Sequence, residues 1–407
     1  MGRYRTLRVG GIVSLLLAVG VGVAWSLAKV LVLTAGDIDY SSQVDAVDVQ
    51  LTINAALGLS IDSDQDGLCD AAEVRLGLNP AIADSDNDGV SDFQEYFQET
   101  LPPPTRDYRQ DMRDFVQAIS DYAKTGHPGF VVIPQNGQEL LTADGTATGT
   151  PVSAYIAALD GVGREDTFYG YDADDVATPP DVRDYFLGFL DLAEQNGIQA
   201  LVIDYCSTLE FVDQSYAGSA ARGYISFAAD QRNLTTIPSY PATPYNVNTS
   251  DVATLSQARN FLYLLNPELF ATKEDFLAAI QGTNYDLFVI DLYFNEDRYT
   301  AADIVSLKTK ANGGSRLVVA YMSIGEAENY RYYWQPTWAT NPPPWLEAEN
   351  PNWPGNYKVH YWDPEWQSII FGNPNAYLDA VLAAGFDGVY LDIIDAFEYF
   401  ESKQGDR

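Results

Sequence analysis

The chain has 407 residues, of which 46% are hydrophobic and 13% aromatic, so it can bury a large core and is not disordered as a whole. Its formal net charge of −34 leaves no basic surface to neutralise phosphates, which predicts no nucleic-acid partner. It has two cysteines, Cys69 and Cys206, which excludes a disulfide framework.

The first segment, residues 1–35, predicts a signal peptide for export or an uncleaved membrane anchor. Three arginines near the start precede a run of about twenty apolar residues that ends before Lys29. Ser26 and Ala28 offer a small-x-small cleavage pattern, whereas the length of the apolar run favours retention as an anchor. In either case we expect the remaining chain to be extracellular or held at the cell surface.

Residues 36–100 carry a repeated pattern of acidic residues. "DSDQDGLCDAAE" and "DSDNDGVSDFQE" place Asp or Glu at loop positions 1, 3, 5, 9 and 12 and glycine at position 6. This is the spacing at which oxygen ligands surround a calcium ion, because the glycine permits a sharp turn and the final Glu binds through both oxygens. The alternative is a solvated acidic linker. The predicted ligands are Asp62, Asp64, Asp66, Asp70 and Glu73 in the first loop, and Asp84, Asp86, Asp88, Asp92 and Glu95 in the second.

An earlier segment, "DIDYSSQVDAVD", keeps only part of this pattern, with Asp37, Asp39, Asp45 and Asp48 but serines in place of the third Asp and the glycine. We therefore expect calcium binding there to be weaker or lost. Followed by "VQLTINAALGL", it resembles one half of a bacterial dockerin, while the two later loops resemble thrombospondin type 3 repeats. A dockerin binds cohesin through two such segments, so a single one argues against cohesin binding. We expect structural Ca²⁺ to stiffen this module, which the proline-rich linker 101–106 joins to the rest.

From residue 107 onward, short apolar runs alternate with amphipathic stretches. The predicted strands begin at Phe130, Tyr155, Ala200, Gly223, Phe261, Asp286, Arg316 and Gly388. Their hydrophobicity is continuous rather than alternating, which indicates strands buried on both faces, as in a parallel sheet covered by helices. Eight such units predict an α/β fold of the (β/α)8 TIM-barrel type over residues 107–407.

The last predicted strand ends at Asp392, and only a short segment follows it. An amphipathic helix is predicted over residues 107–125, with no strand before it. Because a closed ring of units does not depend on where the chain is cut, we expect this helix to fill the position after the last strand. The barrel would then be circularly permuted.

Acidic residues near the carboxyl ends of these strands are candidates for catalysis, because barrel active sites form at that end. They are Glu165, Asp204, Asp291, Glu326 and Asp392. The chain has two histidines and no GxSxG motif, so neither a histidine-rich metal set nor a nucleophile elbow accompanies these acids. Carboxylates without such partners predict glycoside hydrolysis that needs no catalytic cofactor.

Six of the seven tryptophans lie between the seventh and eighth predicted strands. Aromatic rings in a loop at a barrel mouth predict stacking surfaces for sugar rings, and Trp362 and Trp366 are the candidates for substrate binding. His360, which is close to both in the sequence, is a further candidate for ligand contact. Packing within the loop is the alternative for part of this cluster.

The motifs around the candidate acids resemble those of glycoside hydrolase family 114, the endo-α-1,4-polygalactosaminidase type. "YDLFVIDLYF", "RLVVAYMSIGEAENYRYYW" and "AAGFDGVYLDIIDAFEYF" resemble its first half, whereas "PGFVVIPQNGQELL" and "LDGVGREDTFYG" resemble its second half. The second half comes first here, which is the order of a circular permutation. The resemblance implies Glu165 as general acid and Asp392 as nucleophile or base.

Substrate-binding residues are expected beside this pair. We expect them at Asp291, Tyr321, Glu326 and Asp204, and on the first strand at Gln135 and Asn136. An ion pair or hydrogen bond at the barrel rim is the alternative for the first four.

The resemblance implies an exported glycoside hydrolase that cleaves an amino-sugar polysaccharide of the α-1,4-galactosamine kind. A partly deacetylated polymer of this kind is cationic, so acidic subsites would attract it. The alternative is a noncatalytic glycan-binding or adhesive surface protein that keeps the groove of the barrel.

Overall fold

A computed structural model of the protein describes residues 46–57, 59–85, 91–93 and 106–405. The predicted signal or anchor, most of the linker, and the predicted calcium ligands Asp37, Asp39, Asp45, Asp86, Asp88 and Glu95 lie outside these residues. The chain divides into two compact units, Met1–Arg106 and Asp107–Arg407. Across the part of the chain that is described, no helix is both long and apolar enough to cross a bilayer.

The described residues of the first unit include the short helices α1 (Ala46–Ala56) and α2 (Asp70–Leu76). The loop before α2 turns sharply at Gly67, whose φ of +113° suits glycine and not other residues. The same backbone arrangement occurs twice. The amide of Asp70 donates to the carbonyl of Ile61, and the amide of Asp92 donates to the carbonyl of Ala83, each at 2.9 Å.

The second unit alternates strands with helices. Its helices are α3 (Tyr108–Gly126), α4 (Ser153–Ala158), α5 (Pro180–Gln195), α6 (Leu209–Ala220), α7 (Lys273–Gln281), α8 (Ala301–Leu307), α9 (Pro364–Ile370), α10 (Tyr377–Ala384) and α11 (Phe397–Gly405). Its strands are β1 (Val131–Pro134), β2 (Gly161–Glu165), β3 (Gln199–Tyr205), β4 (Ile225–Ala229), β5 (Phe261–Leu264), β6 (Leu287–Ile290), β7 (Tyr293–Phe294), β8 (Asp297–Arg298), β9 (Leu317–Ser323), β10 (Glu326–Glu328), β11 (Leu346–Glu349), β12 (Asn356–Val359) and β13 (Gly388–Asp392).

Eight of these strands are parallel and form two sheets, which confirms the α/β class. One sheet has the order β1-β13-β9-β6-β5 and the other has the order β2-β3-β4. A parallel bridge between Gln135 and Gly163 joins β1 to β2. Between β4 and β5 the described residues form no ladder, although the rings of Phe227 and Phe261 lie 5.7 Å apart. Strand β1 pairs with β13. The eight parallel strands therefore follow one another in the order of a ring that has no hydrogen-bonded ladder between β4 and β5.

The prediction of the second strand was wrong. The run that begins at Tyr155 lies largely in helix α4, and the strand is the following "GVGRE" of β2. Its two glycines made it look like a turn, but they have a packing role. A Cβ on Gly163 would lie 1.9 Å from the hydroxyl of Tyr390, which fills the space next to this strand.

Helix α3 lies where the sequence predicts a covering helix. Its Tyr122 hydroxyl donates to Asp379 of α10, and its Ser120 hydroxyl donates to the carbonyl of Ala158 in α4, both at 2.6 Å. These two helices precede β13 and β2, so α3 lies between them and covers the β13–β1 pair with its apolar face. The chain also has a short helix of its own after the last strand, α11, whose Glu401 pairs with Arg109 of α3 at 2.8 Å.

The tryptophan-rich segment between β9 and α9 is not a loop. It folds into an antiparallel sheet of order β10-β12-β11. The rings of Trp334, Trp338, Trp345 and Trp366 contact one another in series at 5.0 to 5.3 Å between centroids. Most of these tryptophans therefore pack against one another.

Candidate active site

A cavity of about 440 Å³ opens at the carboxyl ends of the parallel strands. It is lined by side chains from β1, β2, β3, β5, β9, β10 and β13 or the residues just after them, from the segments that follow β4 and β6, and from the β11–β12 turn. Among them are Gln135, Asn136, Glu165, Tyr205, Arg232, Tyr263, Asp291, Tyr321, Glu328, Arg331, Trp353, Asp392 and Asp395.

Glu165 ends β2 and is held by two neighbours. One carboxylate oxygen accepts a hydrogen bond from the hydroxyl of Tyr205, and the other accepts from Nδ2 of Asn136 at 3.3 Å. Burial raises the pKa of Glu165 above the ordinary value for a glutamate, although these hydrogen bonds oppose the change. The side chain is therefore fixed in orientation, and its burial favours the protonated form.

Asp392 ends β13 and is held in a similar way. Its Oδ2 accepts from the hydroxyl of Tyr321 at 2.7 Å, and its Oδ1 accepts from the amide of Ile393 at 2.8 Å. Burial, followed by the negative charge of Glu165, raises the pKa of Asp392 to about 8. The free protein therefore keeps a proton on Asp392 at neutral pH.

The two carboxylates have matching surroundings. Strand β1 lies between the strands that carry them, and each acid takes a tyrosine hydroxyl from the strand on its far side. Tyr205 supplies it from β3 and Tyr321 supplies it from β9. Both tyrosines line the same cavity as the acids they contact.

The backbone is left-handed at three positions around this pair. Asn136, Asp166 and Ile393 follow the ends of β1, β2 and β13, and their φ angles are +61°, +58° and +59°. Asparagine and aspartate tolerate this region, but a β-branched residue such as Ile393 does so only under strain. Strained backbone of this kind concentrates at functional sites, because the fold must hold it in place.

A buried ion cluster forms one wall of the cavity. The guanidinium of Arg331 contacts Asp291 at 2.8 Å and Glu328 at 2.6 Å. Both carboxylates thus share one cation, and Glu328 also accepts from the hydroxyl of Tyr330 at 2.5 Å. The cluster carries a surplus of one negative charge when all three groups are ionised.

A second arginine is also fully engaged. Arg232 contacts Asp166 and Asp174, each at 2.9 Å, and its guanidinium lies 3.9 Å from the ring centroid of Tyr205. It therefore supports the tyrosine that holds Glu165, and its own charge is already balanced by acids. Neither arginine of the cavity is left with a free charge for a ligand.

Six of the ten predicted catalytic and substrate-binding residues line this cavity. They are Glu165, Asp392, Asp291, Tyr321, Gln135 and Asn136.

Two predicted acids are placed elsewhere. Asp204 is fully buried behind β3, where it accepts from the amide of Phe168 at 2.8 Å and from the hydroxyl of Ser215 on α6 at 2.6 Å. Glu326 is also buried, and it pairs with Lys358 of β12 at 2.5 Å. Both hold the fold together around the cavity and do not line it.

The predicted tryptophans do not reach the cavity either. Trp366 is fully buried and donates its indole N–H to the carbonyl of Ile324 at 2.9 Å. Trp362 stacks on His360 at 4.8 Å, and His360 in turn lies 2.9 Å from Glu347. The tryptophan that lines the cavity is Trp353, which is 60% exposed and could support a sugar ring.

Strand periodicity could have identified part of what sequence reasoning missed. Neighbouring side chains point to opposite faces of a strand, so Asp204 and Tyr205 cannot both face the interior. Tyr205 faces the cavity and Asp204 faces the helix layer. Glu328 and Arg331 carried no comparable signal, because neither β10, which ends at Glu328, nor the turn that carries Arg331 was predicted.

In the first unit, Asp62, Asp64 and Asp66 could hold a metal ion, since carboxylate oxygens from all three lie within 4.8 Å of one another. Glu73 of α2 is fully buried, and neither of its carboxylate oxygens has a hydrogen-bond partner in the described structure. Burial and the neighbouring aspartates raise its pKa to about 7. A buried carboxylate without a partner, next to three converging carboxylates, fits a calcium ligand set.

Comparison with known families bears on the second unit. Residues 242–406 match glycoside-hydrolase family GH114. This is about two-fifths of the chain, and it contains Asp291, Tyr321, Glu328, Arg331 and Asp392. Glu165 lies before the matched segment, so its placement in one cavity with Asp392 rests on the structure.

Three curated relatives are similar to part of the chain, and all are named uncharacterized proteins. The protein of Methanocaldococcus jannaschii is 46% identical over 126 residues, which are 30% of this chain and 34% of the relative. The Deinococcus radiodurans protein is 43% identical over 131 residues, 32% and 40% of the two chains. The Thermotoga maritima protein is 43% identical over 122 residues, 30% and 36%. The chain thus matches well under half the length of each relative. The GH114 match supports a glycoside hydrolase, whereas the relatives add no activity.

Proposed function

We propose that this protein is a glycoside hydrolase in which Glu165 and Asp392 act together on one glycosidic bond. The observation that carries the proposal is that both carboxylates line a single cavity at the carboxyl ends of parallel strands, with a hydroxyl and an amide fixing each. Most glycoside hydrolases use a pair of carboxyl groups that flank the glycosidic bond. The GH114 match over residues 242–406 supports the same class.

The protonation of the pair suits the chemistry. A two-carboxylate mechanism needs one group with a proton, to protonate the leaving oxygen, and one without, to attack or to activate water. Because the pKa of Asp392 is raised to about 8, the pair holds at least one proton at neutral pH. Asp392 holds it in the free protein, whereas the family resemblance assigns the acid role to Glu165. For Glu165 to act as the acid, the proton would have to pass from Asp392 to Glu165 when the substrate binds.

The substrate we propose is an amino-sugar polysaccharide of the α-1,4-galactosamine kind. Five carboxylates and two guanidiniums line the cavity, and each guanidinium is paired with two acids. A cavity with a surplus of negative charge favours a sugar that carries a protonated amino group. The charge of −34 on the whole chain acts in the same direction at long range.

A release assay tests this function. The full chain is incubated with an α-1,4-linked galactosamine polymer, and oligosaccharides are measured beside the variants Glu165→Gln and Asp392→Asn. The proposal predicts release by the wild type and almost none by either variant. Release that both variants retain would show that other residues act. Binding without release by the wild type would favour the noncatalytic adhesive protein.

For the first unit we propose structural calcium binding, supported by the converging Asp62, Asp64 and Asp66 and by the partnerless Glu73. The ion would bring these carboxylates together without repulsion and stiffen the module. We further propose that the protein is exported and acts outside the cell or at its surface. That proposal rests on the sequence of residues 1–35.

A further inference from the structure

Asp395 differs from the other acids of the cavity. Glu165, Asp392, Asp291 and Glu328 each accept hydrogen bonds from other residues of the protein. The carboxylate of Asp395 accepts none from any other residue that the structure describes, although it lines the same cavity. A cavity carboxylate without a donor lacks the partner that such groups usually have.

The fold holds Asp395 in this position. The chain turns at the left-handed Ile393, so that the short 3-10 helix Ile394–Ala396 follows directly after Asp392. Gly325 permits this turn, because a Cβ there would lie 2.0 Å from the carbonyl oxygen of Ile393. The half-buried position of Asp395 is therefore a consequence of the turn and not of a free loop.

Two cations act on Asp395 electrostatically without bonding to it. Arg164 and Lys358 lower the pKa of Asp395, but neither forms a salt bridge with it in the described structure. Lys358 pairs with Glu326 at 2.5 Å, and Arg164 lies over the ring of Phe186 at 3.5 Å. Burial raises the pKa of Asp395 to about 6, so the group is negatively charged at neutral pH.

We propose that Asp395 is a specificity residue that binds the protonated amino group of the sugar. The inference rests on the proposed function and deepens it. An ammonium group supplies both the charge and the hydrogen-bond donors that this carboxylate lacks. An N-acetylated sugar has no charge to offer and would gain little from Asp395.

The test measures binding to full-length protein carrying Asp392→Asn, so that the ligand is not cleaved. The probes are an α-1,4-linked galactosamine tetrasaccharide and its fully N-acetylated counterpart, titrated by calorimetry. Adding Asp395→Asn should weaken binding of the amino form by about tenfold or more, because a charge-assisted hydrogen bond is lost. Affinity for the acetylated form should change little. The matched control Glu398→Gln removes one exposed charge three residues further on and should leave both affinities unchanged.

Unchanged affinity for the amino form after Asp395→Asn would overturn the inference and leave the proposed function intact. An equal loss of affinity for the amino and the acetylated tetrasaccharide would also overturn the inference, because Asp395 would then not distinguish the amino group. If the Asp392→Asn protein bound neither probe and the wild type released no oligosaccharide, the inference and the proposed substrate would fail together. Melting curves of all variants show whether the cavity is still folded.

Discussion

The negative charge of Glu165 helps to raise the pKa of Asp392, although the two residues are remote in the sequence and belong to different strands. Their coupling requires β1 to pair with β13, as Val131 does with Gly388. A charge on one acid then makes ionisation of the other harder, so the pair titrates in two steps.

The activity should depend on pH through this pair. Its active form holds one proton: at low pH both carboxyls are protonated and no base remains, and at high pH no acid remains. The last proton leaves with the raised pKa of Asp392, about 8. We expect kcat/KM, which reports the free enzyme, to fall as the pH rises through about 8. A profile in which activity has already been lost by about pH 6 would contradict this assignment.

Removing the hydroxyl of Tyr321 should change the pH at which kcat/KM falls on the alkaline side. Its hydrogen bond stabilises the ionised form of Asp392 and so lowers the pKa. Tyr321→Phe should therefore shift the alkaline limb of kcat/KM to higher pH. Tyr399→Phe is a matched control, because Tyr399 donates to Glu347, which does not line the cavity. A shift of the same size in the control, or no shift in Tyr321→Phe, would count against this role.

Gly163 should not tolerate a side chain. The Cβ of an alanine would overlap the Tyr390 hydroxyl at 1.9 Å, so Gly163→Ala should cost about 1–3 kcal/mol or more of unfolding free energy. Adding Tyr390→Phe should recover part of this loss, because it removes the nearest atom. Gly129→Ala is the control, since no atom lies within 4 Å of the position that its Cβ would take. Chemical denaturation that ranks Gly129→Ala below Gly163→Ala in stability would refute the packing argument.

Calcium should stabilise the first unit through Glu73. We expect the wild type to bind calcium by calorimetry and Glu73→Gln to bind it at least about tenfold more weakly, because the substitution removes a charged ligand. Addition of a chelator should increase amide exchange in residues 59–85. Asp121→Asn, an exposed charge on α3, should have no effect. Equal calcium affinity in the wild type and Glu73→Gln would exclude Glu73 as a ligand.

Sequence reasoning succeeded where the pattern was long and periodic. The continuous apolar runs of β3, β6, β9 and β13 predicted parallel strands, and the strong amphipathic pattern of α3 predicted a covering helix. It failed at β2, because the two glycines of this strand, one of which admits Tyr390, look like turn residues in isolation. The apolar run just before β2 has the composition of a strand, but it forms α4 because tertiary packing overrides so short a pattern.

The same reasoning selected Glu165 and Asp392, which line one cavity, but it placed some neighbours in the wrong surroundings. Asp204 looked catalytic because it stands at a strand end, yet its alternation with Tyr205 directs it to the helix layer. Trp362 and Trp366 were chosen from a crowded segment whose antiparallel sheet no local pattern predicted. Arg331 and Asp395 depend on turns that only the three-dimensional structure reveals.

The central claim is that Glu165 and Asp392 work as one unit on a single bond. The most direct measurement compares kcat/KM on the galactosamine polymer for Glu165→Gln, Asp392→Asn and the double variant. Residues that act as a unit give losses that do not multiply. We expect each single variant to lose at least about 100-fold and the double variant to lose no more than the worse single one. Losses that multiply in the double variant, or a single variant with wild-type activity, would contradict the claim.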